Sequence, residues 1–168
     1  MLIGIISDTH GTLHPRVAGT FKEVGHILHA GDIGGDHILP ALRTIAPVTA
    51  VPGNIDGVDD AIEEVEIEGI RILLTHILPR PSQPGRDVAW SIRREKPHLV
   101  VFGHSHLPHD EVLDGVHFFN PASAGPRRFN YPTSVGLLSI KDGAWQLRHV
   151  ALDERSESAL TETMNQLR

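Results

Sequence analysis

Five short, largely apolar runs in this chain each lead into a side chain able to hold a metal ion. That repeated ending constrains fold and chemistry more than any other feature. Residues 2–6 lead into Asp8 and His10, residues 26–30 into Asp32, and residues 48–51 into Asn54. Residues 70–74 lead into Thr75-His76, and residues 99–102 into His104 and His106. Runs of this length suit strands buried on both faces. In an open α/β sheet, ligand sites lie in the crevice outside the carboxyl ends of the strands. One sheet edge would therefore gather Asp8, His10, Asp32, Asn54, His76, His104 and His106. Gly11, Gly31, Gly53 and Gly103 adjoin them, as expected where backbone turns tightly beside an ion. A lone Asp or His at a strand end is usually a turn former or helix N-cap. Five endings of one kind outweigh that local explanation.

Between these runs the first half alternates strand, polar turn and helix, with helices expected over residues 14–23 and 36–45. This argues for a largely parallel sheet covered by helices. The second half reads as a hairpin around Glu68-Gly69, a helix over residues 87–95 and short strands at 111–113, 115–120, 135–140 and 144–150. Asp114-Gly115 and Asp142-Gly143 carry the hairpin signal. The reading is an α/β sandwich of two sheets with helices outside. Residues 1–152 form one domain, and residues 153–168 a polar tail, helical or frayed, with Leu160 and Leu167 as isolated apolar points.

Composition narrows the chemistry. The chain has 168 residues, one domain's worth, and no cysteine, which excludes disulfides, thiolate metal sites and thiol catalysis. A formal charge of −6 argues against a general nucleic-acid or membrane-surface binder. No apolar run approaches the ~20 residues of a membrane span, and Met1 opens a strand without a signal peptide's charged lead. A soluble, cytoplasmic protein is expected. Histidine is over-represented, at 12 residues. His29 reads as a hydrogen-bonded core residue and His26 as a surface strand residue. His14, His37, His109, His117 and His149 read as turn or cap residues.

Two carboxylates, one amide oxygen and four imidazoles exceed what one ion needs. If Asp32 bridges with both oxygens, the donors divide into two sets of four. A mixed N/O set without thiolate suits Mn, Fe, Zn, Ni or Co better than calcium or magnesium. Two such ions about 3.5–4 Å apart form a template for in-line displacement at phosphorus by a hydroxide held between them.

In order and spacing, Asp8-x-His10, Gly31-Asp32, Gly53-Asn54, His76 and Gly103-His104-Ser105-His106 resemble the calcineurin-like metallophosphoesterase superfamily. Asn120-Pro-Ala-Ser extends the likeness. Ser7-Asp-Thr-His-Gly, His29-Ala-Gly-Asp-Ile and Gly53-Asn-Ile-Asp point to its small single-domain phosphodiesterase branch in bacteria and archaea. The resemblance implies a four-layer α/β/β/α sandwich of two mixed sheets. It implies one metal on Asp8, His10, Asp32 and His106, and a second on Asp32, Asn54, His76 and His104, with Mn first among the candidate ions. Asn54 would also touch a phosphate oxygen, its amide nitrogen being free.

Three departures qualify the likeness. Many members carry His directly after the metal-binding Asn, as leaving-group acid, where this chain has Ile55. Ile77-Leu78 replaces Gly and a polar residue after the fourth motif. Ala122 replaces the glycine of Asn-Pro-Gly-Ser.

The expected function is hydrolysis of a small phosphodiester, with Arg80 and Arg127 as candidate substrate contacts. Neither a membrane nor long nucleic acid is an expected partner. The alternatives are a phosphomonoesterase and a non-catalytic scaffold like the retromer subunit that resembles this fold. A patch of Val112, Leu113, Phe118 and Phe119 would serve a partner or homo-oligomer.

Overall fold

Alternation along the first strand, β1 (Leu2–Ile6), sends Ile3 and Ile5 to one face and Leu2, Gly4 and Ile6 to the other. Both faces are covered, so neither can be polar. The computed structural model describes residues 1–59 and 61–166. In it β1 runs parallel to β2 (His26–Ala30), which pairs in turn with β3 (Val48–Val51). On the other side of β1 lie two antiparallel strands, β9 (Ser134–Lys141) and β10 (Ala144–Ala151). The second sheet has parallel strands β5 (Ile70–Thr75), β6 (Leu99–Val101) and β8 (Val116–Pro121). Antiparallel edge strands β4 (Ile62–Ile67) and β7 (Pro108–Leu113) flank them.

The two sheets enclose one core, in which Ile3, Ile5, Leu28 and Val51 meet Ile72, Leu74, Leu99, Val101 and Phe119. Outside the first sheet, α1 (Arg16–Thr20) and α2 (Ile38–Arg43) pack Val17, Ile38 and Leu42 with Ile6 and Ile27. Gly4 makes room for this layer, because a Cβ there would sit 2.8 Å from the Phe21 ring. Outside the second sheet, α3 (Arg86–Glu95) sets Val88 and Ile92 against Leu73, Val100, Phe102 and Phe118. It ends at Lys96, in left-handed conformation, just before Pro97. The architecture is the four-layer α/β/β/α sandwich.

The two helices of the first half are shorter than their patterns suggested. Gly19 and Thr20, both weak helix formers, end α1, and the chain turns from Phe21. In α2, Pro40 is tolerated because it falls in the first turn, where its missing N–H has no partner to lose. The tail forms α4 (Glu154–Gln166), which contacts both β10 and β7. Asp153 caps it, accepting the Ser156 N–H at 2.8 Å, and Ser156 is fully buried. Leu167 and Arg168 lie outside the described residues. No helix among the described residues is long and apolar enough to cross a membrane.

The expected apolar surface patch does not exist as such. Phe119 lies between the sheets and Phe118 lies under α3, both buried, because β8 is an interior strand covered on both faces. Only Val112, on edge strand β7, stands exposed.

Candidate metal centre

The parallel strands of both sheets deliver their carboxyl ends to one place, and backbone hydrogen bonds lock the resulting loops together. The Asp8 N–H donates to Gly31 O at 3.0 Å, and the His10 N–H to Asp32 O at 2.9 Å. The Gly103 N–H donates to His76 O at 3.0 Å. Asp56 ties the loop after β2 to the loop after β3, accepting from the N–H groups of Ile33, Gly34 and Gly53 at 2.9, 2.9 and 2.8 Å. Burial alone would raise the Asp56 pKa, but those three donors outweigh it and hold it below the usual carboxylate value. Asn120 braces the last loop, donating to Gly103 O at 2.8 Å and Ser105 Oγ at 3.2 Å.

Within this frame the seven side chains fall into two groups. In one, His106 Nε2 stands 3.0 Å from His10 Nε2 and 3.2 Å from Asp8 Oδ1, with His10 Nε2 3.6 Å from Asp32 Oδ2. In the other, His76 Nε2 lies 3.2 Å from Asp32 Oδ1 and 3.1 Å from Asn54 Oδ1. His104 Nδ1 completes it, 3.0 Å from Asn54 Oδ1. Asp32 thus offers one oxygen to each group.

The spacing fits cations. Donors about 2.1 Å from one ion stand about 3.0 Å apart in octahedral and about 3.4 Å apart in tetrahedral arrangement. Two further observations agree. Asp8 Oδ1 is buried without a hydrogen-bond partner, an isolated lone-pair site aimed into the first group. His76 donates from Nδ1 to Ala30 O at 2.7 Å, which leaves the Nε2 lone pair facing Asp32 and Asn54.

Left-handed backbone is concentrated here: five of the eleven non-glycine residues with positive φ among the described residues are candidate ligands. Asp8, His10, Asp32, His104 and His106 have φ of 54, 47, 51, 70 and 59°, all left-handed. Non-glycine residues adopt this region rarely, Asn, Asp and His most readily, and such strain gathers at functional sites. Gly31 also has positive φ, and a Cβ on it would lie 2.6 Å from His76 Nδ1.

Electrostatics follow from packing. Burial opposes ionisation of Asp8, yet His106 and the Ser7 hydroxyl outweigh it and keep the pKa low. Burial and Arg128 push His10 down. His29, fully buried beneath the loops, is pushed by desolvation to about 4. It accepts the Gly31 N–H at Nδ1 and meets Thr9 Oγ1 at Nε2, 3.0 Å away, so it is the hydrogen-bonded core histidine its position suggested.

The arginines fall differently from expectation. Arg127 does not reach the cluster. Its guanidinium contacts Asp153 at 2.8 and 2.9 Å and Ser156 at 2.7 Å, docking α4. Its neighbour Arg128 places Nη2 3.3 Å from His10 Nδ1. Arg80 is exposed on a cavity of about 270 Å³ that Phe102, Ser105 and Leu107 also line, and no candidate ligand lines it.

Three histidines are strand residues rather than turn formers, and His109, in β7, contacts Glu111 at 3.0 Å. His149 donates to Asn120 O at 2.7 Å and stacks on Phe119, and His117 pairs with Asp110 at 2.6 Å. The roles of Asp56 and Asn120 in bracing the loops had only their motif neighbourhoods as sequence signal.

Known proteins share this chain's domain and its fold. The calcineurin-like phosphoesterase superfamily domain matches residues 1–143. A probable metallophosphoesterase of Methanothermobacter thermautotrophicus is 36% identical over 152 residues, covering 83% of this chain and 86% of the relative. Vps29 of Entamoeba histolytica, solved with Zn²⁺, superposes with TM-score 0.66 at 24% identity, covering 91% of this chain and all of that one. A structure described as a novel archaeal phosphodiesterase superposes with TM-score 0.67 at 21% identity, covering 89% of this chain and all of that one. At those identities the two structures attest the fold. From the matched domain and the archaeal relative together, the chain belongs to the calcineurin-like phosphoesterase superfamily.

Proposed function

We propose that this protein is a dinuclear-metal phosphodiesterase, hydrolysing a small phosphodiester by in-line displacement with water. Asp8, His10, Asp32 and His106 would hold one cation, and Asp32, Asn54, His76 and His104 the other. The observation that carries the reading is Asp32 standing between the two sets of donors, with Oδ2 3.6 Å from His10 Nε2 and Oδ1 3.2 Å from His76 Nε2. Two dications held by these residues would supply Lewis acidity, enough to lower a water's pKa from about 15.7 toward 7, and positive charge to offset that of a phosphoryl group. The protein's own part is to fix the donors. Buried Asp8 and Asp32 bring negative charge, the Ala30 carbonyl orients His76, and backbone hydrogen bonds hold the ligand loops to one another. The Asn54 amide nitrogen is left for a phosphate oxygen.

Ile55 favours a diester. It occupies the place of a leaving-group acid, its N–H is spent on Asp32 Oδ1 at 3.1 Å, and its side chain carries no proton to give. Substrates whose leaving oxygen needs little help should then react best. An N/O donor set suits manganese, with Fe, Zn, Ni or Co as alternatives. The net charge of −6 favours a small substrate over long nucleic acid, and a cytoplasmic setting goes with this reading.

A second reading follows from the likeness to Vps29, which makes a scaffold role worth testing. The seven intact donors weigh against it.

The test is the metal-stripped protein titrated with Mn²⁺ while hydrolysis of bis(p-nitrophenyl) phosphate and p-nitrophenyl phosphate is followed. Activity should plateau near two equivalents, the diester should react faster, and Asp32→Ala should abolish both. Faster monoester cleavage would make it a phosphomonoesterase. Two bound ions without turnover of either ester would favour the scaffold.

A further inference from the structure

We infer that Arg128 and Phe129 form the substrate-selecting lip of the site: Arg128 grips a non-bridging phosphoryl oxygen, and Phe129 offers a flat apolar face to an aromatic ester group, a nucleobase or aryl ring. The inference rests on the phosphodiesterase reading and names the substrate class of that same site.

Adjacent arginines here have opposite fates. Arg127 is consumed by Asp153 and Ser156. Arg128 is the one Lys or Arg among the described residues that hydrogen-bonds a candidate ligand, through His10 Nδ1 at 3.3 Å. Among the described residues no carboxylate pairs with it. A guanidinium has five N–H donors in a planar fork that matches two phosphate oxygens, so a single imidazole nitrogen leaves most of that capacity unused. The contact also requires a free lone pair on Nδ1.

Phe129 is the next residue. It is 82% exposed and holds φ of 52°, an unfavourable conformation for an aromatic residue. The segment carrying it is braced by hydrogen bonds within residues 123–131. The Gly125 N–H donates to Ser123 Oγ at 3.2 Å, the Tyr131 N–H to Arg128 O at 3.2 Å, and Arg127 to Tyr131 O at 3.2 Å. The Phe129 ring leans on Tyr131 with centroids 5.6 Å apart. The loop therefore presents an aromatic face to solvent one residue from the cation that reaches His10. Ile55, beside Asn54, and Leu107, beside His106, are also exposed. A polar floor with apolar neighbours fits a diester whose phosphate is charged and whose outer group is flat. Aromatic stacking on such a face tolerates any base.

The experiment uses Mn²⁺-loaded full-length protein and two readouts. Calorimetry with inorganic phosphate reads Arg128 without turnover. Arg128→Gln should weaken phosphate about tenfold or more at unchanged metal stoichiometry, with Arg128→Lys intermediate. Steady-state hydrolysis then compares thymidine 5′-(p-nitrophenyl) phosphate with methyl p-nitrophenyl phosphate, which share a leaving group. Phe129→Ala should raise KM for the thymidine ester about tenfold more than for the methyl ester, and Phe129→Trp should restore the difference. Unchanged phosphate affinity in Arg128→Gln overturns the role of Arg128, and an unchanged KM ratio in Phe129→Ala overturns that of Phe129. A wild-type protein that hydrolyses neither ester overturns the phosphodiesterase reading and the Phe129 assignment with it, while the phosphate titration still decides Arg128.

Discussion

The imidazole of His76 donates from Nδ1 to the carbonyl of Ala30 across the two sheets, at 2.7 Å, and so presents Nε2 to Asp32 and Asn54. One hydrogen bond between sheets thus fixes which nitrogen faces the site. His76→Ala should bind one equivalent of Mn²⁺ tightly and the second at least 100-fold more weakly, since even outer-shell losses cost 10–100-fold. Calorimetric metal titration checks this. Two equal tight sites in the variant would remove His76 from the centre.

Gly31, next to Ala30 in the chain, meets the same edge of that ring. A methyl group at this position would face both a left-handed φ of 87° and the His76 ring at 2.6 Å. Gly31→Ala should lose about 2–4 kcal/mol of stability by strain and displacement. It should weaken the same site as His76→Ala, read by denaturant unfolding and metal titration.

Asp56 contributes to the site without being a candidate ligand. Replacing it with Ala frees three backbone N–H groups at the junction of two ligand loops. The carboxylate is partly solvated, so water recovers some of the loss. A destabilisation of about 1–3 kcal/mol is expected, with Asp56→Asn intermediate, in thermal unfolding of the metal-free protein.

Acid should weaken the metal-free fold in two stages. His29 has a folded pKa of about 4 against 6.5 in the open chain, so between those values the unfolded state binds the extra proton. Stability is then full above about pH 6.5 and falls as pH drops toward 4. Burial lowers His10, His14, His26 and His149 in the same sense. Asp56 and Asp153, both held low, withdraw their share as pH falls below the carboxylate range of about 4. Denaturant midpoints from pH 8 to 3 should show the decline, and His29→Gln should flatten its upper part. An equally steep upper part in that variant would contradict the assignment.

Arg127 and Arg128 separate by function. Arg127→Ala removes the paired contact with Asp153 that docks α4, at a cost of about 0.5–1 kcal/mol for a partly exposed ion pair. Phosphate affinity of the metal-loaded protein should stay within twofold of wild type. A loss as large as that expected for Arg128→Gln would show that both arginines serve the anion.

Much of this was legible because strand ends are local. The five apolar runs form strands at the expected places, and Asp114-Gly115 and Asp142-Gly143 adopt the paired left-handed conformations their sequences call for. What escaped was set by distant partners. Whether Arg127 or Arg128 turns inward depends on Asp153, 26 residues away in sequence. Phe118 looked available for a surface patch, but an interior strand position under α3 buries it. His149 looked like a turn residue until β10 brought it onto Phe119 of the facing sheet. Asp56 is one aspartate among many until three amides point at it.

The left-handed backbone at Asp8, His10, Asp32, His104 and His106 also bears on how this fold can change. Asn, Asp, His and Gly are the residues that tolerate such φ cheaply. A descendant freed from chemistry would keep its shape most easily by drifting to Asn or Gly at these positions, while valine or isoleucine would strain the frame. Silencing is thus an inexpensive evolutionary path for this architecture, and Asn or Gly at several of the five positions is the trace it would leave in a retired relative.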